Sequence, residues 1–389
     1  MRGTDMSQES PALAREARID LEALRHNARV LAERVAPAAL LAVVKANAYG
    51  HGMVPVARAL EETGVVAALG VVDLDEARTL RLAGIRTPIL AWLLPPEADL
   101  RWAIAEDIQL GISAVETLDR LARAATAVRA FATAAGTAPP VAVVHLKADT
   151  GLGRAGASPT DWPALVARAA ELEAAGVLRV HGVWSHLANA STASDAAQFE
   201  AFDAAVRHAR QSGLDPSVEH LAASQALLSY PAQRRDLVRA GIALYGISPY
   251  AARPASEFGL RPVMRLSGAV VSVKRVPGGH GVSYGHRHIT SRETTLALIP
   301  VGYADGLPRS ARRAPVWLNG RRYQVAGTIA MDQVVVDVGD DPVAVGDLAV
   351  FWGDPALGHP SAQEWADAAG TIPYEIVTRV GSRVPRRPV

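Results

Sequence analysis

The strongest constraint in this sequence is a regular alternation of short apolar segments with longer amphipathic ones. Eight apolar, β-branched runs occur, at 40–47, 66–73, 88–94, 107–113, 141–149, 178–187, 218–224 and 237–246. Helical patterns such as MVPVARALEET and AAQFEAFDAAVRHAR separate most of them. Alternating β and α units form a parallel sheet covered by helices. Eight such units predict a closed (β/α)8 barrel, with an open doubly wound sheet as the main alternative.

The first residues do not belong to this alternation. Residues 1–15 lack the long apolar core of a signal peptide, and we interpret them as a disordered leader. A helical pattern follows from Ile19 to about Arg34, with Asp20 as the predicted N-cap. We expect the barrel to occupy residues 16–254.

The sequence after Pro254 changes to strand-like runs, among them VMRLSGAVVSVKRV, QVVVDVG and IPYEIVTRV. Asn319-Gly320 predicts a type I′ hairpin turn. One short helix is expected after Ser361, which would cap it. Residues 255–389 therefore predict a second, mainly antiparallel β-domain.

Composition excludes several classes of protein. The net charge of +1 over 389 residues gives no electrostatic reason to expect binding to nucleic acid or to an anionic membrane. The absence of cysteine excludes disulfides and thiolate catalysis. No apolar run reaches the ~18 residues of a membrane-spanning helix. We expect a cytoplasmic protein.

Reactive residue types cluster where a barrel places its active site, at the carboxyl ends of its strands. Lys45 follows four apolar residues, so its stem would leave a buried strand. Desolvation lowers the pKa of such an amine and makes it nucleophilic towards a carbonyl group. The same rule selects Lys147, Arg154, His186, Ser224 and the segment Arg239-Ala240-Gly241.

Two other motifs allow a different function. GLGRAG at 151–156 matches the dinucleotide-binding pattern, but Ala157-Ser158-Pro159 delays the helix that the motif should open. HGVSYGHRH at 280–288 holds three histidines, yet no cysteine and no neighbouring carboxylate completes a metal site. We therefore expect neither a dinucleotide nor a metal, and Tyr284 becomes the residue of interest in the second motif.

Eight motifs in order resemble the alanine racemase family of fold-type III pyridoxal-phosphate enzymes. They are VVKANAYGHG, HLKADTGLGRAG, WSHLA, VRAGIALYG, GVSYG, GYADGLPR, MDQ and PYE. The resemblance extends from about Arg18 to about Val380. It implies pyridoxal 5'-phosphate as cofactor, interconversion of L- and D-alanine, and supply of D-alanine for peptidoglycan synthesis.

The resemblance also implies the catalytic roles. Lys45 would hold the cofactor as a Schiff base and act as the base for the D-enantiomer's α-proton. Tyr284 would be the base on the opposite face, entering from the other subunit of a homodimer. Arg239 would face the pyridine nitrogen and keep it unprotonated, which weakens the ring as an electron sink.

The remaining roles implied by the resemblance concern binding. Phosphate contacts would come from Tyr49, Ser224, Gly241, Ile242 and Tyr374. His186 would stack beside the ring, with His220 near Arg239. Arg154 would bond the phenolic oxygen, braced by Lys147, which is carbamylated in some members. The Met331 backbone amide and Arg154 would bind the substrate. Tyr303 and Arg309 would line the route by which it enters.

Departures from the family pattern keep alternatives open. Thr328 and Ala330 stand where many members have Arg and Cys, and Ala223 replaces a common Asn. A broad-specificity or serine racemase is therefore one alternative. A non-catalytic cofactor-binding protein is a second, although such chains lack the second domain. A basic-amino-acid decarboxylase would need a Cys-Asp motif, which this chain cannot supply.

Overall fold

The computed structural model describes residues 14–389, and its largest unit is a sheet of eight parallel strands. These strands are β2 (Ala39–Val43), β3 (Val66–Val71), β4 (Ile89–Ala91), β5 (Ile108–Ile112), β6 (Ala142–Lys147), β7 (Leu178–Trp184), β8 (Val218–His220) and β9 (Leu237–Ala240). Each overlaps one of the eight predicted runs, and only β2 begins before its run, by one residue. Their order in space is β8-β7-β6-β5-β4-β3-β2-β9.

The sheet closes between its first and last members. The backbone amide of Arg239 donates to the Ala222 carbonyl at 3.0 Å, and Ala223 forms a parallel bridge with Arg239. The amide of Asp236 donates to the Glu219 carbonyl at 3.2 Å. The predicted barrel is thus confirmed, and the open doubly wound sheet is excluded because such a sheet has two unpaired edges.

Helices before and between the strands cover the outside of the barrel, whereas the short element α2 (Lys45–Tyr49) is a left-handed turn at the carboxyl end of β2. The helices are α1 (Leu21–Val35), α3 (Met53–Glu61), α4 (Leu74–Leu82), α5 (Leu100–Ala105), α6 (Val115–Ala134), α7 (Trp162–Ala174), α8 (Thr192–Gln211) and α9 (Ser224–Ser229). The predicted cap of α1 is confirmed, since the Asp20 carboxylate accepts from the Ala23 amide at 2.8 Å. The helix packs on the core through Leu24, Ala28 and Leu31, which are buried at the spacing of one helical face.

The second unit is built mainly of antiparallel strands. The strands are β1 (Arg15–Ile19), β10 (Met264–Ala269), β11 (Ser272–Val276), β12 (Gly281–Val282), β13 (His288–Ile289), β14 (Thr294–Ile299), β15 (Pro315–Leu318), β16 (Arg321–Gln324), β17 (Val334–Gly339), β18 (Leu348–Trp352) and β19 (Arg386–Pro388). A six-stranded sheet has the order β16-β15-β18-β10-β1-β19, and a three-stranded sheet has the order β11-β14-β17. The mainly antiparallel β architecture is as predicted.

One strand of this sheet comes from the other end of the chain. Strand β1 (Arg15–Ile19) pairs antiparallel with β10 and parallel with β19, so it joins the C-terminal sheet and not the barrel. The predicted leader, residues 1–15, lies outside the described residues except for its last two, and Arg15 begins β1. The domain division at residue 254 stays a prediction.

Two local predictions in the second unit, a hairpin turn and a helix cap, are confirmed. Asn319 and Gly320 both have positive φ, 48° and 80°, between the paired strands β15 and β16, as a type I′ turn requires. Helix α10 (Ala362–Ala369) begins after Ser361, whose side chain forms a capping box with Glu364.

The prediction of a strand at IPYEIVTRV is wrong. The segment forms helix α11 (Pro373–Thr378), with Pro373 in its first turn, where proline's fixed φ suits a helix. The helix buries Pro373, Ile376 and Val377. These residues stand at i, i+3 and i+4, which is the spacing of one helical face, but three positions in so short a segment are too few to separate a helix from a strand-like apolar run.

Candidate active site

Lys45 leaves the barrel at the carboxyl end of β2 and begins an unusual turn. The four residues after it, Ala46 to Tyr49, have φ between 52° and 54°, which is left-handed helical geometry. A single left-handed turn is rare because each L-residue in it costs roughly 1–2 kcal/mol. It is anchored by Glu76, whose carboxylate accepts from the Ala46 amide at 2.6 Å and the Val72 amide at 2.8 Å. The turn fixes where the lysine leaves the strand.

The ammonium group of Lys45 is in the environment predicted for a reactive amine. Burial lowers its pKa below 10.5, and the neighbouring charge of Arg154 lowers it further, while Glu76 opposes the shift. Its Nζ lies 5.7 Å from the centre of the Trp92 ring, on the strand end two places along the sheet. A lowered pKa increases the fraction of neutral, nucleophilic amine at physiological pH.

Other basic groups surround this lysine at the same end of the barrel. Lys147 at the end of β6 is buried, and burial together with Arg239 and Arg154 lowers its pKa to about 8. His186 follows β7, and burial plus the same cations lowers its pKa to about 3, so its ring is neutral. The barrel mouth therefore gathers positive charge around a neutral imidazole, as a site for an anionic ligand would.

Arg239 is buried among carbonyl groups and histidines. Its Nη1 donates to the His220 carbonyl at 2.9 Å and to His220 Nδ1 at 3.0 Å. Its Nη2 donates to the carbonyls of Ser185 at 2.6 Å and Leu221 at 3.0 Å and lies 3.3 Å from His186 Nδ1. Desolvation lowers the Arg239 pKa to about 9, which still leaves the guanidinium charged at neutral pH. These contacts use its Nη hydrogens, and Nε–H is its remaining donor.

A cradle of neutral donors lies beside the end of β9. The Ser224 hydroxyl accepts from the Gly241 amide at 2.9 Å, and a Cβ on Gly241 would lie only 2.5 Å from the Tyr49 hydroxyl. The ring of Tyr374, on α11, lies 6.3 Å from that of Tyr49. Ile242 begins a short 3-10 turn directly after Gly241. Hydroxyls and backbone amides of this kind can hold a phosphate group.

The GLGRAG segment forms a loop after β6. Asp149 accepts from the Gly151 and Gly153 amides, and helix α7 starts only at Trp162. The segment does not open a helix, so its glycines do not form a dinucleotide site. Arg154 is exposed on this loop, near enough to Lys45 and Lys147 for its charge to lower both pKa values.

Tyr284 and Met331 lie in the second unit with exposed side chains. Tyr284 is 70% exposed and Met331 is 52% exposed. The loop of Tyr284 is fixed from behind, because Ser283 Oγ donates to the Thr328 carbonyl at 2.6 Å and Thr328 Oγ1 donates to the Tyr284 carbonyl at 3.0 Å. Tyr284 lines a cleft of this unit together with Arg309. Within one chain, its ring is turned to solvent.

The Met331 segment is joined to the loop of Tyr303. The Tyr303 amide donates to the Ala330 carbonyl at 3.0 Å, and the Ala304 amide donates to the Met331 carbonyl at 2.9 Å. A Cβ on Gly302 would lie 2.3 Å from the Met331 carbonyl oxygen, so glycine is needed for this approach. The two predicted substrate-side segments are therefore one surface.

Sequence reasoning missed the aromatic floor of the site. The Trp184 ring centre lies 4.5 Å from Lys147 Nζ and 5.0 Å from the Arg239 guanidinium carbon. Cations gain stabilisation over an indole face, which helps to keep two positive groups close together. The available signal was the aromatic residue directly before the Ser-His pair at 185–186, at the end of a predicted strand.

Residues 14–389 contain no group of three or more His, Asp or Glu side chains placed to hold a metal ion. No helix in the same range is long and apolar enough to cross a membrane.

Comparison with known proteins places this geometry in a family. The alanine racemase N-terminal domain model matches residues 19–249, and the C-terminal domain model matches residues 263–388. The alanine racemase of Thermobifida fusca is 51% identical, covering 95% of this chain and 97% of that protein. The enzyme of Streptomyces coelicolor is 48% identical over 99% of both chains. The crystal structure of alanine racemase from D-cycloserine-producing Streptomyces lavendulae has a TM-score of 0.92, with 47% identity and 98% coverage of each chain. This chain belongs to the alanine racemase family.

Proposed function

We propose that this protein interconverts L-alanine and D-alanine, using pyridoxal 5'-phosphate as cofactor and two bases on opposite faces of the substrate. The proposal rests on the arrangement of side chains at the barrel mouth. There a lysine with a lowered pKa stands among basic groups beside a cradle of neutral donors. The cofactor has an aldehyde for the lysine and an anionic phosphate for the cradle.

The residues at the mouth fit this cofactor group by group. The Ser224 hydroxyl, the backbone at Gly241 and Ile242, and the tyrosines 49 and 374 would hold the phosphate. Arg154 would bond the phenolic oxygen, and His186 would lie against the ring. When bound, the cofactor acidifies the α-C–H bond of an amino acid that condenses with its aldehyde.

Arg239 has a particular role in this proposal. Its guanidinium stays charged and can only donate hydrogen bonds, so it would keep the pyridine nitrogen unprotonated. A ring without a proton at that nitrogen withdraws electrons less strongly. Lys45 and the second base must then move the α-proton directly between themselves and the substrate, which disfavours side reactions.

The two bases come from different ends of the molecule. Lys45 would remove or return the proton of the D-enantiomer, and a tyrosine hydroxyl would serve the L-enantiomer from the opposite face. Tyr284 of one chain is 70% exposed and its loop is held rigidly by Thr328. We infer a homodimer in which Tyr284 of the partner subunit completes the site of each barrel.

The substrate's carboxylate would be held by Arg154 and by the backbone amide at Met331. Tyr303 and Arg309 would line the entry route, because the Tyr303 loop is hydrogen-bonded to the Met331 segment. Thr328 is joined to the Tyr284 loop, so this departure from the family pattern adjoins the second base. Substrate range is therefore the property that we expect Thr328 to affect.

Lys147 would brace Arg154 once it is carbamylated. Carbamylation joins a neutral amine to carbon dioxide and releases one proton. The lowered pKa of Lys147, about 8, supplies that neutral amine, and the surrounding cations favour the anionic product. In the cell, we propose that the enzyme acts in the cytoplasm and supplies D-alanine for peptidoglycan synthesis.

The test is α-proton exchange in deuterated water. Purified protein with pyridoxal 5'-phosphate and L-alanine should lose optical rotation and incorporate deuterium at the α-carbon, as measured by polarimetry and proton NMR. Running the assay over a panel of small amino acids, serine included, separates alanine specificity from broad specificity. Lack of both signals in the wild type would refute the proposal.

Two variants assign the bases. Lys45→Ala should lose the visible absorbance of the bound cofactor together with activity. Tyr284→Phe should retain that absorbance and slow proton transfer on one face, so exchange starting from L-alanine falls more than exchange starting from D-alanine. Equal, full rates in both directions would show that Tyr284 is not the second base.

A further inference from the structure

A continuous hydrogen-bonded array crosses the inside of the barrel from β5 to β9. Gln109 Oε1 lies 2.9 Å from His145 Nε2. His145 Nδ1 in turn lies 2.8 Å from His220 Nε2. His220 Nδ1 lies 3.0 Å from Arg239 Nη1. The array ends at the guanidinium that the proposed function places against the cofactor ring, while Gln109 is remote from the barrel mouth, near the start of β5.

The barrel has the space and the support that this array needs. Strand β7 lies between β6 and β8, so the bond between His145 and His220 must pass over it. It passes at Gly182, where a Cβ would lie 2.4 Å from His145 Nδ1. Trp184 stacks on His220 with ring centres 5.4 Å apart and an angle of 3°, and its indole N–H donates to the His145 carbonyl at 3.3 Å.

The direction of every bond in the array is fixed from its arginine end. A guanidinium can only donate, so His220 Nδ1 must accept and its ring proton must be on Nε2. That proton is donated to His145 Nδ1, which places the proton of His145 on Nε2. Gln109 Oε1 can accept this last hydrogen bond. Each of the three contacts between the four side chains is thus a hydrogen bond with one donor and one acceptor.

The surroundings resist a second proton on either ring. His145 and His220 are both buried, and the titratable or charged groups that face them from β7 and β9 are His181, Arg179 and Arg239. Burial and these groups lower the His145 pKa to about 3 and lower the pKa of His220 well below its usual value. Both rings are neutral at physiological pH, so tautomer identity, and not charge, is what the array controls.

We propose that Gln109 and His145 are positioning residues that hold His220 as its Nε2–H tautomer, so that His220 Nδ1 accepts from Arg239 and fixes the guanidinium. This inference rests on the proposed function. Without the Gln109 acceptor, His145 Nε2–H has no partner in the array. The alternative His145 tautomer then becomes accessible, and its Nδ1–H would force His220 to carry its proton on Nδ1, against the Arg239 donor. Arg239 would lose an acceptor and its fixed orientation.

The experiment compares Gln109→Leu, which removes the acceptor, with Gln109→Glu, which keeps an acceptor oxygen at nearly the same size. Nitrogen NMR of protein labelled with ¹⁵N-histidine distinguishes the two neutral tautomers in both the cofactor-free and the loaded protein, with His145→Gln and His220→Gln used for assignment. Steady-state racemisation gives kcat and KM for alanine. Gln363→Leu, on α10 of the second unit, is the matched control for a Gln-to-Leu change.

We expect both rings as Nε2–H in the wild type, in Gln109→Glu and in the control. Gln109→Leu should show a ring proton on Nδ1 even without cofactor, and its kcat should fall roughly tenfold with little change in KM. Unchanged tautomers in Gln109→Leu, or changed tautomers with unchanged kcat, would overturn the inference. If Gln109→Leu does not fold, Nδ1–H rings in the wild type would still overturn it. A wild type without racemase activity refutes the proposed function but leaves the tautomer result standing.

Discussion

Replacing Gly241 by alanine tests the close contact on which the phosphate cradle depends. The new Cβ would lie 2.5 Å from the Tyr49 hydroxyl oxygen, about 1 Å short of an optimal separation of roughly 3.5 Å. Tyr49 cannot easily withdraw, because it is 9% exposed and its ring packs 4.9 Å from that of Tyr245. The added methyl group must therefore displace the hydroxyl or the Gly241 backbone.

The magnitude follows from the cost of overpacking. Inserting a methylene into a packed site costs about 1–3 kcal/mol. If the strain is relieved by distorting the cradle, the Kd for pyridoxal 5'-phosphate rises roughly 5- to 150-fold. Titration of the cofactor-free protein, followed by cofactor absorbance, measures this Kd, and thermal unfolding of the same samples measures any general loss of stability.

A double-mutant cycle with Tyr49→Phe separates the clash from other effects. Removing the hydroxyl oxygen leaves the ring carbon, 3.2 Å from the added Cβ, as the nearest atom. Any backbone effect of Gly241→Ala is common to both backgrounds and cancels. The substitution should therefore cost at least about 1 kcal/mol less in the Tyr49→Phe background. Simple additivity of the two changes would refute the close contact as the cause.

Two further predictions concern stability. The pKa of uncarbamylated Lys147 is lowered to about 8 from 10.5, so unfolding takes up protons between these pH values. In buffer free of carbon dioxide, wild-type stability should therefore rise with pH across that window, by at most about 3 kcal/mol. Urea unfolding at pH 7.5 and 10 should show this rise relative to Lys147→Met, and a constant difference between the two proteins would contradict it. Ala46 has φ 53°, so Ala46→Gly should stabilise the protein by up to about 1 kcal/mol in the same assay. The control Ala127→Gly, in the regular helix α6, should destabilise it by about 1 kcal/mol. A loss of stability in both variants would contradict the left-handed turn.

The barrel could be predicted because its signal is local and repeated. Each buried parallel strand needs its own apolar run and each covering helix its own amphipathic pattern, so eight independent segments report the same architecture. Lys45 could be placed for the same reason, since the end of an apolar run marks the end of a strand. Chemistry at strand ends then follows from the fold rule alone.

Features that depend on distant partners could not be predicted. Strand β1 is five residues long and pairs with β10, some 250 residues later in the chain, which no local pattern encodes. Helix α11 was mistaken for a strand because its helical pattern is only the three buried residues Pro373, Ile376 and Val377, too short a run to stand out from β-rich surroundings. The left-handed turn after Lys45 contains alanines, which do not favour positive φ, so its geometry comes from tertiary anchors such as Glu76.

The buried array shows the same limit inside the site. In the sequence, His145 and Gln109 are each a single polar residue within a strand. They lie two and three βα units before His220. Pairing of the successive strands β5 to β8 brings these three side chains into a line, closure of the barrel adds Arg239 on β9, and the glycine at 182 opens the path across β7. The sequence contains the parts, but their pairing is a property of the closed sheet.

Under the proposed function, neutral donors and charged groups of the barrel mouth would bind different parts of the cofactor. Phosphate would be held by neutral hydroxyls and amides at Ser224 and Gly241, while the cations Lys45, Lys147 and Arg239 lie at the reactive end. Burial and the charge of Arg154 lower the pKa of Lys45, and the positive charge of the region would favour anionic groups of the substrate there. A phosphate clamp of lysines would bring further cations without acting on the reacting atoms. If neutral groups hold the phosphate, the positive charges of the site act mainly on the atoms between which the proton moves.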